Sequence, residues 1–201
     1  MVEAFDVENE TMSAGFESYR TILDRKHRAS PREFRRTDFT ENEDAILREK
    51  YLNLLKKKIA TFPSYSENGK TAILPMIHGT TEAIAWKIAT GNFGTVASLD
   101  AGYYGKGIYF TTQADYAEYY SHEKVLVIAL VNPGNAYPVT EDPRNKQNYL
   151  GKPCRTGYQS HYTVLDTFYP STSVKDNSRD EMVVFEVAQT FPKFIVKVKK
   201  T

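Results

Sequence analysis

Pro75-Met76-Ile77-His78-Gly79-Thr80-Thr81-Glu82 and, further on, Gly105-Lys106-Gly107-Ile108-Tyr109-Phe110 are the two runs that decide how this chain reads. Ala72 to Ile77 is a short apolar run and reads as a strand. Pro75 within it cannot donate a ladder hydrogen bond, so it belongs on an unpaired side. The chain is expected to turn at His78-Gly79. Thr80 or Thr81 then caps a helix whose positive first turn is favoured by Glu82. Ile84, Ala85, Ile88 and Ala89 give that helix an apolar stripe, and Gly91 suits the left-handed position that would end it.

The second run repeats the logic. Gly105 and Gly107 let the backbone turn tightly or approach a ligand, and Ile108-Tyr109-Phe110 is β-prone. Thr112, with Asp115 three residues on, reads as the cap of another helix. In that helix Tyr116 and Tyr120 share a face, as do Ala117 and Tyr120. Two strand-to-helix turns thus carry His78 at one strand end, Tyr109 inside the other strand and an aromatic helix beside them. Such geometry forms a flat slot between two tyrosines, fit for a planar heteroaromatic carrying a carboxamide. Each feature alone is ordinary: Gly-x-Gly occurs in many turns, strand-end histidines are mostly structural, and helical tyrosines mostly pack.

Composition narrows the classes. A chain of 201 residues defaults to one domain. Its net charge of +1 excludes bulk electrostatics as the basis of binding, so nucleic acid is not an expected partner. The single cysteine, Cys154, permits no internal disulfide and no thiolate metal cluster. The longest apolar run, Val125 to Val131, is strand-sized, so no membrane association is expected. Glu3, Asp6, Glu8 and Glu10 give the N-terminus the wrong charge for a signal peptide. The expected location is intracellular, cytoplasmic or nuclear.

Along the rest of the chain, residues 1 to 12 read as acidic and loosely ordered. Ser13 to Leu23 reads as a helix with Phe16, Tyr19, Leu23 and Ile22 inward. Arg25, Lys26, His27, Arg28, Arg32, Arg35 and Arg36 form a basic stretch without interleaved aromatics, so it reads as a solvated connector. Glu43 to Ala60 is a stronger helix, with Ile46, Leu47, Tyr51, Leu54, Leu55 and Ile59 as its buried stripe and Lys56, Lys57 and Lys58 favoured by the dipole at its end. Ser64 to Lys70 is a polar loop. Val125 to Val131, apolar on both faces, should be a central strand. Residues 132 to 160 are too long for an idle connector. His161 to Thr167 and Met182 to Val187 read as strands, joined by a polar loop from Tyr169 to Asp180. Phe194 to Lys199 alternates apolar residues with lysine, an edge-like pattern. Helices gather early and strands late, which indicates α+β with a mostly antiparallel sheet core.

His78-Gly79-Thr80, then Tyr104-Gly105-Lys106-Gly107-Ile108-Tyr109-Phe110, then Glu181-Met182-Val183-Val184-Phe185 together resemble the catalytic domain of the poly(ADP-ribose) polymerase family. These are diphtheria-toxin-like ADP-ribosyltransferases with a His-Tyr-Glu triad. Leu47 to Lys58 resembles the helix before the histidine strand in the mono-ADP-ribosylating branch, Gly157-Tyr158-Gln159-Ser160 resembles the family's Gly-Tyr-Asp-Ser segment, and Gln189 to Val196 its final strand. The likeness runs from about residue 44 to 199. It divides the chain into an N-terminal extension, residues 1–41, and a catalytic domain, residues 42–201.

The resemblance implies the ADP-ribosyltransferase fold, a split antiparallel β-sandwich with flanking helices. It implies NAD as substrate, no metal, and a protein acceptor that the sequence does not identify. Gly79 would bind the nicotinamide carboxamide through its backbone, with Tyr109 and Tyr120 stacking on the two ring faces. His78 would hold a ribose hydroxyl, Thr80 would lie towards the adenine-side ribose, and Glu181 would hydrogen-bond the nicotinamide ribose 2′-hydroxyl. The catalytic set is therefore Glu181, His78 and Tyr109. Where the family often places a serine on the carboxamide, this chain has Ala117.

Two assignments have rivals. Glu186 competes with Glu181, but residues 181, 183 and 185 share a strand face and 186 points away. Tyr119 competes with Tyr120, which the register count favours. Polymer formation, a non-catalytic NAD- or partner-binding module on the same fold, NAD hydrolysis and RNA 2′-phosphate removal are the alternatives. The first gives way to mono-ADP-ribosylation on the likeness of Leu47 to His78. Asp176 and Asp180 in the acceptor-side loop are expected to repel an incoming pyrophosphate, with Lys175 and Arg179 partly offsetting them. Arg179 also occupies the first position of the Glu-x-Glu spacing of arginine-specific relatives, so a non-arginine acceptor is expected.

Overall fold

The structure, a computed structural model, describes residues 2–31, 44–63, 71–95, 102–140, 148–165 and 174–198. The Ser64 to Lys70 loop, Arg32, Arg35, Arg36 and the boundary near residue 41 lie outside them. Among the described residues, eight strands form two four-stranded sheets. The first has the order β1-β8-β4-β2, from β1 (Val2–Asp6), β8 (Thr190–Val198), β4 (Val125–Val131) and β2 (Leu74–Thr80). The second has the order β3-β7-β6-β5, from β3 (Ile108–Phe110), β7 (Asp180–Val184), β6 (Ser160–Val164) and β5 (Ala136–Pro138). All pairings are antiparallel except β5 with β6. The sheets join where Ile77 and Thr111 exchange two backbone hydrogen bonds, at 2.8 and 2.9 Å. This is the mixed α+β, antiparallel-rich architecture the sequence led us to expect.

Helix α1 (Glu10–Ala29) packs against β8 and the 3-10 turn Val187–Gln189. Helix α2 (Ala45–Ala60) lies on β5 and β6, α3 (Glu82–Gly91) on β4 and β8, and α4 (Ala114–Tyr119) on β2 and β4. The stripe expected on α2 buries Leu47, Tyr51, Leu54 and Leu55 and half-buries Ile59, but Ile46 is 68% exposed. Tyr51 also donates to the Val164 carbonyl at 3.1 Å, giving its hydroxyl a partner inside the core.

Several expectations are corrected. Residues 2–6 are a strand paired along its length with β8, and helix α1 already begins at Glu10, so this end is not loosely ordered. On α1, Phe16 and Leu23 are buried as expected, whereas Ile22 is exposed, and Arg20 and Asp24 are buried in its place. Their charges are met locally: Arg20 donates to the Thr71 carbonyl and Asp24 accepts from the Thr71 amide. Arg25 to Arg28 are not connector but the last turns of α1, where cations suit the helix dipole.

The alternating pattern of β8 does not mark an edge, because β1 covers that side. The alternation does not divide a buried face from a wet one either, since Ile195, fully buried, shares its face with Lys197; Lys193 and Lys197 are accommodated by pairing with Asp6 and Glu82. Pro192, inside β8, sits at the register shift against β4, where a missing N–H is tolerated. Pro75 lies in β2, the outermost strand of its sheet. The stretch from 132 to 160 contains β5.

Candidate active site

The strand containing His78 runs on through Gly79 to Thr80 instead of turning there, with Gly79 opposite Leu126. The turn comes at Thr81, the N-cap of α3, whose side chain accepts from the Ile84 amide at 3.4 Å. The helix ends not with Gly91 in the left-handed region but with Asn92, at φ 59°. Asn92 tolerates this because its side chain binds the neighbouring backbone: Oδ1 accepts from the Phe93 amide and Nδ2 donates to the Thr190 carbonyl.

Gly79 is required by close packing. A Cβ there would lie 1.9 Å from the Ala117 carbonyl oxygen of α4. Ser121 reinforces the same contact, donating to the Thr80 carbonyl at 2.6 Å while accepting from the Val125 amide at 2.7 Å. α4 is thus held tightly against the end of β2. Gly107 plays the equivalent part in the second sheet, since a Cβ there would meet the Val184 carbonyl at 2.4 Å.

His78, Gly79, Thr80, Tyr109, Ala117, Tyr120 and Glu181, every site residue singled out in the sequence, line one cavity of about 640 Å³. Tyr119, the rival to Tyr120, is 78% exposed outside it. Glu186 is likewise elsewhere, capping the Val187–Gln189 turn. The His78 Nδ1 lies 2.9 Å from the Tyr109 carbonyl. A carbonyl only accepts, so Nδ1 carries the proton and Nε2 is the nitrogen facing other chemistry. The Tyr109 hydroxyl donates to the Gly105 carbonyl at 2.9 Å and accepts from the Tyr104 amide at 2.8 Å. Its ring is therefore fixed from the loop that precedes it.

That loop is buttressed by the long segment after β5. Lys106 N donates to the Lys152 carbonyl, Gly151 N to the Gly102 carbonyl, and Arg155 N to His161 Nε2. His161, fully buried, passes its Nδ1 proton to the Tyr104 carbonyl. Burial lowers its pKa to about 4, so the ring is neutral and linked on both sides. This gives the 132–160 segment a structural task beside the cavity.

Glu181 is the second residue of β7, buried, and its Oε1 accepts from the Tyr116 hydroxyl at 2.7 Å. Its neighbour Asp180 does not face an acceptor. It is fully buried and accepts from Lys58 Nζ, Thr111 Oγ1, Thr112 N, Thr112 Oγ1 and the Tyr162 hydroxyl. Asp176 is paired with Lys57 at 2.7 Å. The expected repulsion of a pyrophosphate by these two charges is therefore lost, since each is matched by a lysine of α2. Thr112 serves Asp180 rather than capping α4, whose N-cap is Gln113 without a side-chain bond. Sequence reasoning missed Lys58 and Asp180 as a unit, because nothing in the spacing links positions so far apart. It noted Tyr116 only as a neighbour of Tyr120. Residues 169–173 of the acceptor-side loop, and 166–167 of the strand expected before it, lie outside the described residues.

Among the described residues no three His, Cys, Asp or Glu side chains gather in a metal-binding group. No helix there is long and apolar enough to cross a membrane.

A family model described as the poly(ADP-ribose) polymerase catalytic domain matches residues 52–200. The chain belongs to that family, whose members use NAD as the donor in ADP-ribosyl transfer. No curated protein matches the chain.

Proposed function

We propose that this chain transfers ADP-ribose from NAD to a side chain of a protein, releasing nicotinamide, and adds single units. The observation supporting this most is the shared cavity, where the β2 histidine, Tyr109 and Tyr120, a tightly approached backbone at Gly79 and the buried Glu181 carboxylate converge. In this reading Gly79 holds the carboxamide, Tyr109 and Tyr120 sandwich the ring, and His78 holds a ribose hydroxyl. Thr80 lies towards the second ribose. Glu181 engages the 2′-hydroxyl of the nicotinamide ribose.

The chemistry explains the residue types. The bond between ribose C1′ and the ring nitrogen breaks, and its electron pair leaves with nicotinamide, discharging the pyridinium. Positive charge develops on the sugar, as in glycoside hydrolysis. A fixed carboxylate beside it stabilises that charge more than the ground state. The acceptor nucleophile then bonds to C1′ and releases its proton. Stacking and carboxamide hydrogen bonds hold the leaving group in a reactive pose.

Addition of single units is favoured because elongation must place the pyrophosphate of a bound ADP-ribose near Glu181. Support comes from the likeness of Leu47 to His78 to the mono-ADP-ribosylating branch; of the cations near Glu181, Lys58 is engaged with Asp180 and Arg179 stands 4.0 Å from Asp115. A non-arginine acceptor follows from Arg179 standing where arginine-specific relatives carry the first glutamate.

Incubation with NAD followed by mass spectrometry tests the activity. Modified protein and nicotinamide are expected from the wild type, with loss by orders of magnitude in Glu181→Gln while NAD still binds, because the amide oxygen can accept from the ribose hydroxyl in place of the carboxylate. Wild-type rates in Glu181→Gln would remove Glu181 from the mechanism. A gel of the product made with labelled NAD should show no ladder, and long polymer would overturn the single-unit reading.

A further inference from the structure

Resting on the reading above, we propose that Tyr116 is the positioning residue for Glu181, holding its carboxylate through a hydroxyl relay that begins at Tyr120. The Tyr116 hydroxyl lies 2.7 Å from Glu181 Oε1 and 2.8 Å from the Tyr120 hydroxyl. An ionised carboxylate only accepts, so the Tyr116 hydroxyl donates to Glu181 and its oxygen accepts from Tyr120. Burial, the bond to Tyr120 and the bond to Glu181 all push the Tyr116 phenol above its ordinary pKa, so it remains a donor across the working pH range. The two phenol rings meet edge to face, with centroids 5.3 Å apart and planes at 87°. From outside, the Arg179 guanidinium stands 5.8 Å from the Tyr116 ring centroid.

The relay joins parts of the fold that also meet through the bridge at Ile77 and Thr111 and the His78–Tyr109 hydrogen bond. Tyr116 sits on α4, which Ala117 and Ser121 anchor to β2 of the first sheet. Glu181 stands on β7 of the second. Tyr120, at one end of the relay, is the platform under the leaving group, and Glu181, at the other, is the group beside the ribose. A charge-assisted hydrogen bond is stronger and more directional than a neutral one. Tyr116 thereby fixes the carboxylate relative to the ring whose departure it assists.

Tyr116→Phe keeps the ring and removes the relay. Calorimetry with benzamide, which mimics nicotinamide but has no ribose, should give an affinity within about twofold of wild type. A C-glycosidic, non-hydrolysable NAD analogue, which carries the ribose, should bind about tenfold more weakly, the scale of losing a hydrogen bond to a charged group. In a Glu181→Ala background the same Tyr116→Phe change should alter analogue affinity by less than about twofold, because the group it acts through is gone. Equal losses for benzamide and analogue, no loss for either, or an undiminished loss in the Glu181→Ala background would overturn the proposal. A wild type that binds the analogue but does not consume NAD would refute the transferase reading while leaving this test intact. A wild type that binds neither ligand would overturn both.

Discussion

Lys58→Met isolates the ion pair that anchors β7. Lys58 reaches from the last turn of α2 to Asp180, with Nζ 2.8 Å from Oδ2, and also donates to Thr112 Oγ1 and the Ser178 carbonyl. Its side chain is 11% exposed and that of Asp180 is 0% exposed. Methionine preserves the apolar stem and removes the charge. Removing one partner of a buried pair costs about 3–5 kcal/mol, because the other charge stays buried and uncompensated. Thr111, Thr112 and Tyr162 still donate to the carboxylate, which places the expectation at the lower end, about 3 kcal/mol. For a chain of this size that is a fall of about 6–12 °C in Tm. Thermal unfolding followed by circular dichroism near neutral pH measures it. Adding Asp180→Asn should recover at least half the loss, since a neutral amide needs no counter-charge. Turnover of NAD should fall as well, because Asp180 is the residue next to Glu181 and its bonds hold the start of β7. A fall in Tm below about 2 °C, or a double variant as unstable as Lys58→Met, would refute the reasoning.

Four further outcomes are expected. Tyr120→Ala should weaken benzamide binding by about 1–3 kcal/mol, the scale of a lost stacking platform; an unchanged calorimetric affinity would place the platform elsewhere. Ala117→Ser should tighten the same ligand by restoring a hydroxyl at the cavity wall, and no gain would mean that the hydroxyl does not reach. Gly79→Ala should lower Tm and abolish NAD turnover together, because the new methyl meets backbone and not a movable side chain; a stable, active variant would mean α4 can retreat from β2. Burial lowers His161 in the fold to about 4 from 6.5. Its stabilising effect is thus complete above the unfolded value and disappears as pH falls towards 4, by roughly 3 kcal/mol in all. A Tm that stays flat from neutral pH down to about 4 would contradict this, as would an His161 ring that titrates by NMR near its unperturbed value.

Local patterns carried much of the fold on their own. Val125 to Val131, apolar on both faces, could only be a strand flanked on both sides, and the Leu47 to Leu55 stripe could only face a core. Gly79, Tyr109, Tyr120 and Glu181 were singled out through the family likeness of the runs that hold them, since each local feature alone is ordinary, and all four line the same cavity. Position in a sheet was not legible. Alternation in β8 does not reveal its neighbours, and the partner that makes it an inner strand comes from the opposite end of the chain. Charge roles were equally hidden. Asp180 looked like a surface repellent until α2 brought Lys58 against it, and Tyr116 looked like packing until β7 placed Glu181 at its hydroxyl. Periodicity is a property of adjacent residues, whereas burial and pairing of a charge depend on which distant element arrives beside it. The sequence therefore indicated most of the strands and helices and named residues that line one cavity, and only the tertiary structure decided which charges are matched and which hydroxyl meets Glu181.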